Sequence, residues 1–126
     1  MKTSERVLEF LRQQGFCPSI DEDNGNIIFK YQMMTFVFFN NDDDESFFQL
    51  ALPSIMSVTH ENRVQALEAA NQLNLEYKVA KCCIYDDDVW ILFEILLDSS
   101  PDIQDIIPRA LGILQRSQNL FYEKMG

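Results

Sequence analysis

Apolar residues crowd both sides of the alternation from Val89 to Leu97, V-W-I-L-F-E-I-L-L. Asp86, Asp87 and Asp88 just before it make a turn, and Tyr77–Tyr85 reads as the first strand of a hairpin, so the run is a strand. Side chains on a strand alternate between two faces. Val89, Ile91, Phe93, Ile95 and Leu97 go to one face; Trp90, Leu92 and Leu96 go to the other, interrupted by Glu94. A sheet with one wet face alternates apolar with polar. This strand does not, so both of its faces need cover.

The remaining pattern supplies the other elements. Thr3 or Ser4 caps a first helix whose apolar positions Val7, Leu8, Phe10 and Leu11 form a stripe, and Gly15 ends it after Gln14. Phe16–Glu22 reads as a strand interrupted by Pro18, hence at an edge. Asp23-Asn24-Gly25-Asn26 is a hairpin turn, Ile27–Tyr31 a strand, Gln32-Met33 a tight connection and Thr35–Phe39 a third strand. An acidic loop, Asn40–Ser46, leads to a fourth strand, Phe47–Leu52, ended by Pro53. A second helix is expected from Thr59 to Asn74, with Val64, Leu67, Ala70 or Asn71, and Leu73 or Asn74 on its apolar face. After the long hairpin, Ser100-Pro101-Asp102 offers a capping serine and a proline at the first helical position. Ile103, Ile106, Ile107, Ala110, Leu111, Leu114 and Phe121 supply the stripe of this third helix. Pro108 inside it either kinks the helix or, as is expected, marks the true start after a short turn.

Strands that follow one another through tight turns make an antiparallel sheet. The expectation is one α+β domain over residues 1–126, with three helices, five to six strands and the order α-β-β-β-β-α-β-β-α. Three helices, each with a single stripe, can cover one face of such a sheet. Yet Ile27, Ile28 and Phe29, Phe36 to Phe39, and the pair Phe47-Phe48 put apolar side chains on both faces. An apolar face left bare marks an interface. The candidate protein-interface residues are Trp90, Leu92 and Leu96 on one side and Val89, Ile91 and Phe93 on the other. The expected partner is a second copy, docked through the hairpin and its sheet face. The opposing explanation is a strongly curled sheet wrapped by the helices on both sides.

Charge narrows the partners. Twenty acidic against ten basic residues leave a formal net charge of −10, which repels nucleic acid and anionic membranes. The acids cluster at Asp21–Asp23, Asp42–Glu45 and Asp86–Asp88, where solvated turns account for them. The N-terminus lacks the apolar run of a signal peptide and no stretch reaches a membrane span. Three cysteines, two of them adjacent, read as buried thiols in a reducing cytoplasm.

Candidate chemistry is sparse. Counted from Asp21, a calcium loop would need an oxygen ligand, glycine and glutamate where Gly25, Asn26 and Gln32 stand. His60, the one histidine, opens the second helix, and its spacing from Cys17, Cys82 and Cys83 matches neither a zinc site nor a nucleophilic pair. Glycine-rich phosphate loops, G-x-S-x-G and H-E-x-x-H are all missing. The expectation is no enzyme, no cofactor and no metal. The alternative is a small-ligand binder or enzyme with a pocket between helices and sheet, near Trp90 or Tyr85.

Arg63–Asn74, R-V-Q-A-L-E-A-A-N-Q-L-N, leads into a strand with Lys78 and Lys81, an acidic turn and a second strand. Together with I-I-F-K-Y-Q-M-M-T-F-V-F-F, an acidic loop and F-F-Q-L-A-L-P, this resembles the bacterial YbjN family, whose fold is like that of type III secretion chaperones. The resemblance spans nearly the whole chain. It implies no catalytic residue and no cofactor, and a small acidic protein that dimerises and binds other polypeptides in a sensory or regulatory role.

Overall fold

The computed structural model describes residues Met1–Gly126. Its elements are α1 (Thr3–Gln13), β1 (Ser19–Ile20), β2 (Ile27–Tyr31), β3 (Met34–Phe38), β4 (Phe47–Ser57), α2 (Arg63–Glu76), β5 (Ala80–Tyr85), β6 (Asp88–Leu96) and α3 (Ile103–Met125). Six antiparallel strands form one sheet in the order β1-β2-β3-β4-β6-β5. The α+β class and the order of elements are those the pattern predicts.

Turn chemistry sets the register. Gln32 and Met33 (φ 50° and 67°) and Asp86 and Asp87 (φ 52° and 61°) are consecutive left-handed residues. Two such residues give a turn whose twist matches the flanking strands. The β2–β3 and β5–β6 hairpins are thereby fixed, Tyr31 facing Met34 and Tyr85 facing Asp88. Register then decides which side chains go inward. Ile27 pairs with Phe38, Phe38 with Leu50, Leu50 with Phe93 and Leu52 with Ile91, and all of these are buried. Val7 and Leu11 of α1, Ala66, Ala70 and Leu73 of α2, and Ile107, Leu111, Leu114 and Phe121 of α3 close the same core. Phe29, Phe36, Phe38, Phe48 and Phe121 are essentially fully enclosed, each adding roughly 2 kcal/mol of burial.

Several boundaries differ from the sequence pattern; β5, for one, starts at Ala80 rather than Tyr77, because α2 runs on to Glu76 with Tyr77 as its C-cap. The edge strand β1 keeps two residues of the expected Phe16–Glu22, so Cys17, with φ 51°, lies outside the sheet and exposed. The strand β4 runs through Pro53 to Ser57 instead of ending at Leu52. The register shifts between Leu52 and Met56, with Ser54 at φ 53°, and a bulge spares proline the ladder bond it cannot make. The helix α2 starts at Arg63: the Thr59 amide donates to Asn62 Oδ1 (2.7 Å) and the Asn62 amide to Thr59 Oγ1 (3.3 Å), holding a turn where helix was expected. Asp102, not Ser100, caps α3 by accepting from the Asp105 amide (3.2 Å). From there α3 is continuous through Pro108 rather than starting after it. The carbonyl this proline leaves without a donor belongs to Gln104, an exposed residue.

Candidate functional site

Every helix packs on the sheet face that carries Phe29, Phe36, Leu50 and Ile91, and the opposite face has no helix over it. Cross-strand register places Ile28, Val37, Ala51, Leu92 and Lys81 in one row of that open face, with Gln49 beside Glu94 and Cys83 beside Trp90 in neighbouring rows. The six interface candidates therefore separate. Val89, Ile91 and Phe93 are 0, 0 and 5 % exposed beneath the helices; they belong to the monomer's core and are not available to a partner. Trp90, Leu92 and Leu96 lie on the open face, Trp90 half-buried, Leu92 buried and Leu96 76 % exposed.

What buries Leu92 without a helix is the aromatic content of the face itself. The Trp90 ring lies 6.4 Å from Phe39 at 29° and 5.6 Å from Tyr85 at 87°. Ala51, between Val37 and Leu92 in its row, is fully buried as well. Phe39, Lys81, Cys83, Tyr85, Trp90 and Leu92 enclose a shallow groove of ≈ 260 Å³. Glu94, the one break in the apolar pattern of β6, is neutralised in place: Lys81 Nζ sits 2.8 Å from one of its oxygens and Gln49 Nε2 donates to the other at 2.6 Å. Phe39 and Tyr85 complete the aromatic cluster. They escaped the interface reading because they sit at strand ends, where alternation is hardest to phase; the signal available was their odd-even match to Val37 and Cys83.

The reactive side chains do not converge. Burial pushes the Cys82 thiol up to about 12, with Cys83 adding to the effect. Burial also raises Cys83, Lys81 pulls the other way, and Glu94 raises it further. At neutral pH both stay protonated and weakly nucleophilic. Cys82 and Cys83 point to opposite faces and all three cysteines are free. His60 is exposed in the turn before α2, and no three His, Cys, Asp or Glu side chains gather where a metal could sit. A more open cleft of ≈ 310 Å³ between α1 and the start of α3 carries Arg6, Glu9 and Asp102, charges of both signs with no common target.

The acidic loops stand at opposite ends of the open face. Asp86–Asp88 turns the β5–β6 hairpin at one end and is tied to α2 by an Arg63–Asp87 ion pair of 2.7 Å. Asn40–Ser46 lies at the other, where the Leu97 amide donates to the Ser46 carbonyl. The groove is thus an apolar belt between two negative rims.

A model of the YbjN family, described as "Putative bacterial sensory transduction regulator", matches residues 3–105. Three solved structures share the fold. An uncharacterised protein from Methanothermobacter thermautotrophicus superposes with a TM-score of 0.67 at 13 % identity, over 98 % of this chain and 99 % of the other. YbjN from E. coli gives 0.68 at 9 % identity, over 94 % and 88 %. The type III secretion chaperone SycH of Yersinia pestis, solved in complex with a stable fragment of YscM2, gives 0.59 at 13 % identity, over 97 % and 98 %. At such identities the likeness is one of fold. No curated protein matches the chain in sequence. No helix is long and apolar enough to cross a membrane.

Proposed function

The chain belongs to the YbjN family, and from that premise we propose that it is a non-catalytic protein-binding module, chaperone-like or a regulatory adaptor, that works as a cytoplasmic homodimer. The observation that carries this reading is the open sheet face: an aromatic groove built by Phe39, Tyr85 and Trp90, flanked by exposed Leu96, on a sheet whose helices all lie on the other side. Its polypeptide ligand is amphipathic and net basic. Apolar side chains fill the groove and basic ones meet the loops Asp42–Glu45 and Asp86–Asp88. Nucleic acid, repelled by the net charge of −10, is not a ligand.

The supporting structural parallel is SycH, a chaperone of the same fold whose structure holds a polypeptide partner. A small-molecule site is the weaker reading. The groove falls below the roughly 300–1,000 Å³ of ligand pockets, and its one charged lining residue, Lys81, is already paired with Glu94.

Trp90 is the only tryptophan, so its emission reports on the groove. Amphipathic peptides with the same apolar residues but opposite charge provide the test. The basic series should shift the emission and bind; the acidic series should not; and Trp90→Asp should abolish binding, because a buried unpaired charge is costly. Indifference to peptide charge would remove the electrostatic part of the reading. Tight binding of DNA or RNA at physiological salt would remove all of it.

A further inference from the structure

The strand β6 outruns its neighbour. It pairs with β4 as far as Leu96, whereas β5 begins at Ala80, opposite Phe93. Backbone groups along an antiparallel strand point alternately to its two sides. The Leu97 amide donates to the Ser46 carbonyl on the β4 side, so the N–H and C=O of Leu96 point the other way, where no strand follows. A notch is left there. Val79, Phe93, Ile95, Ile106 and Ile113 wall an apolar groove of ≈ 220 Å³ between this free edge and α3.

The chain does not fill the notch with its own linker, and the register explains why. Carried back from Ala80, β5 would set Val79 opposite Glu94 and Lys78 opposite Ile95. Lys78 would then share the side of the sheet taken by Ala80 and buried Cys82, and its ammonium would enter the groove without a partner, at a cost. Instead Val79 takes φ 74°, a conformation rare for a β-branched residue. The kink leaves Lys78 exposed, and Tyr77 is held at α3, where Arg116 Nε donates to its hydroxyl (2.8 Å). One strained residue thus keeps the notch open.

Backbone, side chain and charge together define what fits. Unpaired N–H and C=O groups at a strand edge accept another strand, not a helix. The apolar walls accept an aliphatic side chain where Lys78 is refused. Lys78 and Arg116 take part in no ion pair, and the one pair at the rim joins Arg109 to Asp105 (3.2 Å). On a chain of net charge −10 this corner is locally basic.

We propose that the notch at the end of β6 docks an extended segment of a partner protein. The segment adds a strand at Leu96, inserts one aliphatic side chain beside Ile95, Ile106 and Ile113, and sets a carboxylate against Lys78 and Arg116. The site lies at the sheet edge under α3, apart from the aromatic groove, and asks for the opposite charge in its ligand.

Amide NMR of the full chain with two short peptides tests it. Both alternate valine and threonine; one ends in glutamates, the other in lysines. The glutamate peptide should shift the amides of Val79, Ile95 and Leu96 saturably and slow exchange of the Leu96 amide about tenfold at saturation. The lysine peptide should bind about fivefold more weakly, and Lys78→Glu should reverse that preference. Leu96→Pro removes the open donor and no bond within the chain, so the fold should stand while binding falls about tenfold. Trp90→Asp, which disables the aromatic groove, should change none of this. Equal affinity for the two peptides would overturn the proposal, as would no binding at millimolar peptide or a Leu96→Pro chain that binds like the wild type. Shifts confined to the aromatic groove and lost in Trp90→Asp would refute the notch and leave the open-face reading standing. Protection of the Leu96 amide that grows with protein concentration before peptide is added would assign the notch to a second copy and also refute it.

Discussion

Three cysteines occupy three environments, and the differences set their chemistry. Cys17 is exposed beside Pro18, Cys83 is half-buried in the groove, and Cys82 is buried against the helices. An alkylating reagent at neutral pH should therefore modify Cys17 first and Cys83 slowly, with Cys82 reacting only on unfolding. The Cys82 thiol also couples stability to alkaline pH. Its ordinary value is 9.0 and the fold raises it to about 12, so above pH 9 the unfolded chain releases a proton that the folded chain keeps. The contribution is fully present below pH 9 and is lost as pH rises towards 12. Cys83 and Tyr122, also raised by burial, act with the same sign. Unfolding in urea at stepped pH should show stability falling across this window, less steeply in Cys82→Ala. At this scale the sequence was informative about partition and silent about depth. Alternation separates Cys82 from Cys83 correctly, but the expectation that all three thiols are buried fails at Cys17, because nothing local announces that β1 would be only two residues long.

At the scale of elements, proline and asparagine mark where sequence patterns mislead. Pro108 sits in the sixth position of α3, which packs through Ile107, Leu111 and Leu114 whether or not one backbone bond is missing. Tertiary packing overrides the local penalty, and Pro108→Ala should raise stability by about 1–3 kcal/mol in urea titrations by restoring the bond to Gln104. Pro53 misleads in the same way: it ends a regular strand, but a bulge lets β4 continue, and no residue pattern predicts a bulge. Asn74 does a different job. Its side-chain amide donates to the Cys82 carbonyl (3.0 Å) and its oxygen accepts from the Cys82 amide (2.7 Å), pairing groups that the edge strand β5 would otherwise leave open. Asn74→Ala should cost about 2 kcal/mol, seen as a lower urea midpoint and faster amide exchange at Cys82. The hairpins were legible because Asn-Gly, Gln-Met and acidic turns separate short runs rich in β-branched and aromatic residues. Which face of β6 meets the helices was not, because Val89, Ile91 and Phe93 look no more apolar than Trp90, Leu92 and Leu96. Only the register with Leu50 and Leu52 on β4 decides it.

For the whole molecule, the net charge of −10 makes salt a discriminating variable. Screening relieves repulsion between two copies but weakens attraction between acidic loops and a basic polypeptide. Raising ionic strength from about 0.05 M to about 0.5 M should therefore tighten the dimer and loosen peptide binding, two opposite slopes from one titration series. The order β1-β2-β3-β4-β6-β5 has a consequence of another kind. A ribosome releases the meander β1 to β4 first, with β4 at its margin, paired with β3 on one side and with no strand on the other. That margin stays open until α2 and β5 have been synthesised and β6 emerges, since β3 lines one side of β4 and β6 alone lines the other. The longest strand of the protein thus spends its first moments with one edge an open template. Closing the β4–β6 ladder joins segments far apart in the chain, so it should be slow, and the nascent chain should be most prone to aggregation until it closes.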